Sequence, residues 1–143
     1  MMVYYAKITK QKEDAKYLVE FPDLDGCFTE GDDLDDALFN AQEVLDGWLA
    51  SLCDHNLNIP DEKVRKGRNY HPIMANINLE FVISLRRLRK KKRLSQAQVA
   101  KKLGISQQAY ARLETPFKSN PSLSTIEKLS YALDATLELN LAG

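Results

Sequence analysis

The sequence has few residues of the kinds that crosslink a fold or hold a metal ion. It contains two cysteines, Cys27 and Cys53, and two histidines, so one chain can form neither a disulfide framework nor a four-ligand zinc site. We expect two buried thiols, no metal and no cofactor. No run approaches the roughly 18 consecutive apolar residues of a membrane span, and residues 1–10 have no signal-peptide pattern. These absences predict a cytoplasmic protein.

The charge is divided unevenly, although the total is zero. Residues 1–78 hold 8 Lys and Arg against 15 Asp and Glu, a net charge of −7. Residues 79–143 hold 12 against 5, a net charge of +7. A basic half suits a polyanion such as DNA, and an acidic half suits a basic protein. We therefore predict two small domains, residues 1–78 and 79–143, with different partners.

The first 78 residues predict an α+β domain, in which an antiparallel sheet of three to four strands packs on one long helix. From Asp33 to Cys53, apolar residues recur at helical spacing, and acidic residues stand at the helix start. Asp25-Gly26 is a strong turn pair, and Asp54 to Asn69 is predicted to be a loop that packs little. The predicted strands are Val3–Thr9, Tyr17–Phe21, Cys27–Glu30 and Tyr70–Asn78, the last confined by Pro72 to a sheet edge or a strand start.

Leu94 to Glu114 predicts a helix-turn-helix in the second domain. Ser95 and Ser106 are suitable N-caps for two short helices, and Gly104 ends the first of them. In this motif the first residues of the second helix meet base edges in the major groove of DNA.

Three polar residues of the second helix are the predicted base readers. Gln suits adenine N6 and N7, and Arg suits guanine O6 and N7, so Gln107, Gln108 and Arg112 match the task. The alternative is that they are polar residues on the solvated face of a packing helix.

The segments beside the motif predict further helices and a dimer. Leu79 to Lys92 is expected to be a helix, and the basic run Arg86 to Arg93 is either a solvated face or a phosphate-attracting one. Ser124 is predicted to cap a helix through Leu133. Ala135 to Leu141 alternates as a short final strand, and its simplest partner is its copy in a second chain of a two-fold homodimer or higher oligomer.

The pattern LSQxxxAxxLGISQQAYxxLE resembles the DNA-binding domain of the lambdoid phage repressors, and the likeness covers roughly the last 60 residues. The resemblance implies that Gln96 supports both the DNA backbone and a reader, and that Arg89 pairs with Glu114. The family usually has Gly soon after this glutamate, whereas Thr115-Pro116-Phe117 follows here. The candidate DNA-binding residues are Gln96, Ser106, Gln107, Gln108, Tyr110 and Arg112.

A second resemblance covers about the first 50 residues. YLVEFPDLDGCFTEGDDLDDALFNAQEVLDGWL is similar to the HicB antitoxin family, with FPDLxGC after a strand, Gly-Asp opening the helix and NAxE inside it. The resemblance implies a truncated ribonuclease-H-like sheet that masks a small basic HicA-like toxin, which cleaves mRNA. It also implies autorepression of a type II toxin–antitoxin operon. The candidate toxin-binding residues are Phe21, Asp23, Asp25 and Cys27.

Two other function classes compete with this hypothesis. One is a stand-alone transcriptional regulator whose N-terminal domain senses a small ligand. The other is a nuclease that uses Asp23 and Asp25 as metal-binding carboxylates. The second is disfavoured because these residues flank a turn, where Asp forms local hydrogen bonds, and no matching carboxylates stand in the strands. We therefore expect a binding protein rather than an enzyme.

Overall fold

The structure is a computed structural model that describes residues 1–143. Proximity within the fold divides the chain into two compact units, residues 1–80 and 81–143, and the predicted α+β part followed by a helical part is confirmed. The elements are β1 (Val3–Lys10), β2 (Tyr17–Glu20), β3 (Phe28–Gly31), α1 (Leu34–Asp54), β4 (Tyr70–Met74), α2 (Ile77–Lys91), α3 (Gln96–Leu103), α4 (Gln107–Leu113) and α5 (Leu123–Ala132).

The first unit contains one antiparallel sheet with the strand order β3-β2-β1-β4. Side chains alternate between the two faces of a strand, and in β1 this places Tyr4, Ala6 and Ile8 in the core. β4, which contains Pro72, is an edge strand, one of the two placements predicted, where a residue without a backbone N–H is tolerated.

Helix α1 packs through one regular stripe. Its buried residues are Ala37, Ala41, Leu45, Leu49 and Cys53, spaced four apart, so that a single face of the helix enters the core. Asp33 is the N-cap, and its side chain accepts a hydrogen bond from the Asp36 amide at 2.7 Å. The predicted helix is confirmed, with its end one residue later than predicted, at Asp54.

The turn between β2 and β3 is held by its own backbone. The Phe21 amide donates to the Cys27 carbonyl at 3.1 Å, and the Cys27 amide donates to the Leu24 carbonyl at 3.0 Å. Gly26 has a φ of +86°, in the left-handed region, and a Cβ at this position would lie 3.2 Å from the Trp48 ring. The turn requires glycine at Gly26 for both reasons.

The segment between α1 and β4 was predicted to pack little, and the structure corrects this. The buried Tyr4 hydroxyl donates to the Pro60 carbonyl at 2.6 Å, and an Arg65 guanidinium nitrogen lies 2.7 Å from Asp23 Oδ1. Two buried polar groups of the core thus need partners, and this segment supplies them. The loop is fastened to the first unit at two points.

The second unit is helical, with one core beneath α2, α3, α4 and α5. Helix boundaries differ from the prediction by one or two residues, and α2 ends at Lys91 rather than Lys92 and α5 at Ala132 rather than Leu133. Helix α2 begins at Ile77 rather than Leu79, and α5 is capped by Ser122 rather than Ser124, because the Ser122 hydroxyl accepts the Thr125 amide at 3.1 Å. The buried core consists of Leu85, Val99, Ala100, Tyr110, Leu129 and Leu133.

The predicted final strand is absent from the single chain. Residues 135–143 have no regular secondary structure, and Leu137, Leu139 and Leu141 are exposed. A strand needs a neighbour for its backbone hydrogen bonds, and the second unit contains no other strand. The alternating apolar residues are therefore present, but the predicted strand has no hydrogen-bonded neighbour in the second unit.

Candidate nucleic-acid interface

The helix-turn-helix is built from two capped helices and a left-handed turn. Ser95 forms a capping box with Gln98, in which each side chain accepts the other residue's amide. Gly104 ends α3 with a φ of +71°, and Ser106 caps α4 through the Ala109 amide at 3.1 Å. The predicted motif from Leu94 to Glu114 is thus confirmed.

A buried ion pair connects α2 to the end of α4. Arg89 Nε donates to Glu114 Oε2 at 2.6 Å, and a second guanidinium nitrogen donates to Oε1 at 2.9 Å. Glu114 is only 3% exposed, so the carboxylate depends on these donors instead of water. The pairing implied by the repressor resemblance is confirmed. Arg89 also donates to the Leu94 carbonyl at 2.9 Å, which ties in the segment that leads to α3.

The ionisation of Glu114 follows from its partners. Burial by itself would raise the pKa of this carboxyl group, but hydrogen bonds, above all from Arg89, outweigh burial and lower the pKa below its ordinary value. Burial, and then the neighbouring Glu114, raise the pKa of Tyr110 well above the ordinary value for a tyrosine. The cluster is therefore charged at Arg89 and Glu114 and neutral at Tyr110.

The side chains of the predicted base readers are exposed to solvent. Gln107, Gln108 and Arg112 are all exposed, on a helix whose opposite side enters the core. Ser106 is exposed as well, with its hydroxyl engaged in the cap. An exposed row of two glutamines and an arginine presents donors and acceptors for base edges.

Two other predicted DNA-binding residues, Tyr110 and Gln96, are not fully exposed. Tyr110 is fully buried in the core of the second unit, so its side chain is not exposed for contact with DNA. Its position in the helix satisfies the apolar period, and that period turns the ring inward. Gln96 is half-buried, and its side-chain nitrogen lies 3.4 Å from Glu114 Oε1. This residue joins the ion-pair cluster.

The residues of the basic run from Arg86 to Arg93 differ in their exposure to solvent. Arg86 and Arg89 are largely buried, with Arg86 Nε 3.7 Å from Glu114 Oε1. Lys90, Lys91, Lys92 and Arg93 are exposed, the last two just beyond the end of α2. These exposed residues can meet phosphates, whereas Arg86 and Arg89 are committed to a buried carboxylate.

The residues of the FPDLDGC turn in the first unit also differ in their exposure to solvent. Phe21 and Cys27 are buried, and burial raises the pKa of Cys27 to about 12. Asp23 is paired with Arg65 and its side chain is only 5% exposed. The turn thus holds the side chains of Phe21, Asp23 and Cys27 away from solvent, and toxin contact by these residues stays a prediction. Asp25 remains exposed.

A model of the HicB-like antitoxins of bacterial toxin–antitoxin systems matches residues 4–100, which is more than half of the sequence. The chain belongs to this family. A helix-turn-helix family model matches residues 85–140 and overlaps the end of the antitoxin match. The antitoxin family and the DNA-binding motif thus occupy one chain, in the order that the sequence predicted.

Two relatives resemble parts of this HicB-like antitoxin. A UPF0150 protein of Thermoplasma acidophilum is 40% identical over 65 residues, which cover 46% of the antitoxin and 93% of the relative. An uncharacterised 14.9 kDa protein of Haemophilus phage HP1, from its rep-hol intergenic region, is 32% identical over 50 residues. That match covers 35% of the antitoxin and 38% of the phage protein.

Other features bear on possible cofactors and on membranes. No group of three or more His, Cys, Asp or Glu side chains in the antitoxin is arranged to hold a metal ion. Neither Cys27 nor Cys53 forms a disulfide, and both thiols are buried, as predicted. None of the helices combines the length and apolar character needed to cross a bilayer.

Sequence reasoning missed Arg65, which holds the FPDLDGC turn of the antitoxin through Asp23. The two residues are 42 positions apart, and Arg65 lies in a segment without periodicity. Neither a motif nor spacing could have identified this contact.

Proposed function

We propose that this chain is the antitoxin of a type II toxin–antitoxin system, acting in the cytoplasm. Its acidic first unit binds and neutralises a small basic HicA-like toxin that cleaves mRNA, and its second unit represses the operon that encodes both proteins. Family membership supports the first part. The exposed Gln107, Gln108 and Arg112 on a rigidly supported α4 support the second.

The observation that carries the DNA-binding part is the Arg89–Glu114 pair. It fixes the far end of α4 to α2, while the buried Tyr110 fixes the middle of α4 to the core. A recognition helix must present its side chains in one orientation, because base readout depends on short directed hydrogen bonds. Both anchors leave the polar side of α4 uncovered.

A homodimer completes the proposed repressor. Leu137, Leu139 and Leu141 alternate along an exposed segment that lacks a strand partner within its own unit. Pairing with the same segment of a second copy satisfies the backbone and buries these leucines. Two copies related by a two-fold axis read two half-sites about one helical turn of DNA apart.

Footprinting on the promoter of the gene tests the repressor part. The full chain is expected to protect two half-sites, and deletion of residues 135–143 is expected to weaken protection of both together. Protection that does not change with the deletion would contradict the dimer. Absence of any footprint would contradict autorepression. A protein that binds the promoter, purifies without a partner and releases the DNA in response to a small molecule would support the stand-alone regulator instead.

A further inference from the structure

The first unit has a continuous acidic segment that includes three of its elements. From Tyr17 to Glu62 the sequence contains 13 Asp and Glu and neither Lys nor Arg. This segment includes β2, β3 and the whole of α1. The solvent side of α1 therefore carries negative charge along its length, without a basic residue of the same helix to offset it.

A large apolar side chain is exposed in the N-terminal third of this acidic helix. Phe39 is 64% exposed, although the buried residues on either side of it in the sequence, Ala37 and Ala41, enter the core. Neighbours on a helix surface stand three, four or seven residues apart. For Phe39 these neighbours within α1 are Asp35, Asp36, Gln42, Glu43 and Asp46, four of which are carboxylates.

Some of these carboxylates already have partners within the unit. Asp36 accepts the Asp32 amide at 2.9 Å, and Asp46 accepts the Asn76 amide at 2.9 Å. Asp35 and Glu43 are exposed one turn before and one turn after Phe39. The aromatic ring thus lies between two solvent-facing carboxylates.

The surroundings favour contact on the helix surface over addition of a strand. The Asn40 side chain donates to the Glu30 carbonyl at 2.8 Å and so occupies part of the edge strand β3. One turn beyond Glu43, Gly47 is exposed, and a Cβ at this position would meet no other atom within 4 Å. A partner can therefore approach the α1 backbone closely after Phe39.

We propose that the solvent face of α1 from Asp35 to Gly47, with Phe39 at its centre, is the docking surface for a small basic protein. The Phe39 ring enters an apolar pocket of that partner, and lysines or arginines around the pocket meet Asp35 and Glu43. An exposed aromatic ring encircled by polar residues is the usual form of a binding hot spot. Repulsion between these carboxylates opposes a second copy on this face, and phosphate repulsion opposes nucleic acid. The inference rests on the proposed antitoxin function and names the site of toxin contact.

Binding of purified full-length variants to the immobilised product of the neighbouring reading frame tests the proposal. Phe39→Ala is expected to raise the Kd at least about 10-fold, mainly through faster dissociation. Asp35→Asn with Glu43→Gln is expected to slow association and to reduce its dependence on salt. Phe117→Ala removes a comparably exposed phenylalanine, 57% exposed, from the second unit and is the matched control.

The remaining outcomes distinguish failure of the proposed α1 docking surface from failure of the proposed antitoxin function. If the wild-type chain binds and Phe39→Ala binds equally well, the α1 surface is wrong while the antitoxin function stands. If Phe28→Ala, at another 64% exposed phenylalanine, weakens binding and Phe39→Ala does not, the partner docks through β3 and the inference is overturned. If the wild-type chain does not bind this product at all, the proposed function and the inference both fail. The melting temperature of each variant confirms that it is folded.

Discussion

Arg89 and Glu114 form a two-point ion pair between α2 and the end of α4, with N–O distances of 2.6 and 2.9 Å. Because both charges are withdrawn from water, each depends on the other. Removal of one partner leaves a buried charge uncompensated, which costs about 3–5 kcal/mol in comparable pairs. The pair therefore holds the recognition helix in place and makes the second unit sensitive to single substitutions.

We expect Arg89→Ala to lower the melting temperature of the chain by several degrees, because Glu114 then loses its main partner. Lys91→Ala, at an exposed residue of the same basic run, is the control and should leave the melting temperature nearly unchanged. Thermal unfolding followed by circular dichroism measures both. A double-mutant cycle with Glu114→Ala should show strong coupling, and additive effects would refute the pairing argument.

The same pair makes stability depend on pH. The folded pKa of Glu114 lies below its unfolded value of about 4.3, so its contribution is complete above that pH and is lost as the pH falls through the folded pKa. Urea unfolding of the wild type should show this loss on acidification below about pH 4. Glu114→Gln should be less stable at pH 7 and should show a smaller decrease. Parallel curves for the two proteins would contradict the assignment.

Base reading by α4 predicts losses that depend on DNA sequence. Gln107→Ala or Arg112→Ala should cost about 1–3 kcal/mol on the operator and little on random DNA, since a bidentate base contact exists only at the right base. Lys90→Ala, at an exposed lysine, should weaken binding to both DNAs and reduce the salt dependence. Fluorescence anisotropy measures the affinity of each variant for the operator and for random DNA. Equal losses on both DNAs for Gln107→Ala would place it among the phosphate contacts.

Two glycines of the first unit should respond in opposite directions to the same substitution. A Cβ at Gly31 would lie 2.3 Å from the Ala37 amide nitrogen, so Gly31→Ala should destabilise the contact between β3 and α1. Gly47 lies within α1 with open space around it, and Gly47→Ala should stabilise the helix by about 0.5–1 kcal/mol. Chemical denaturation of the two variants measures the difference. A gain in stability for Gly31→Ala would show that β3 is not held close to α1.

The loop after α4 contains a residue in an unfavourable backbone conformation. Phe117 has a φ of +62°, a left-handed value that costs a bulky residue about 1–2 kcal/mol. Phe117→Gly should therefore raise the melting temperature. Phe117→Ala, which removes the same ring but keeps a Cβ, should not. If the two variants have the same melting temperature, the backbone conformation is not the cause.

The sequence predicted the elements whose signals are local. Ser95, Gly104 and Ser106 marked the helix-turn-helix, since each satisfies backbone groups within its own turn. The spacing of the repressor motif also identified Arg89 and Glu114. The exposure of residues in the FPDLDGC turn could not be predicted in this way, because Phe21 and Cys27 lie in a turn without a periodic pattern and are buried by the fold of the whole unit.

Non-local contacts account for the remaining differences. Two contacts hold a loop that has no periodic pattern. Tyr4 donates to the Pro60 carbonyl, and Arg65 donates to Asp23. The alternating segment at residues 135–141 has the composition of a strand, but a strand also requires a neighbour, which the second unit does not provide. In both cases local sequence specifies one side of an interaction but not its partner.

The most direct test of the account is co-purification of the tagged full-length chain with the product of the adjacent reading frame, followed by measurement of RNA cleavage by that product alone and in the complex. We expect a stable complex with a small basic protein that cleaves RNA when free and is inactive when bound. Phe39→Ala should restore part of the cleavage at concentrations at which the wild-type chain suppresses it fully. If the chain purifies alone, or if the bound protein remains fully active, the antitoxin function proposed for this chain is contradicted.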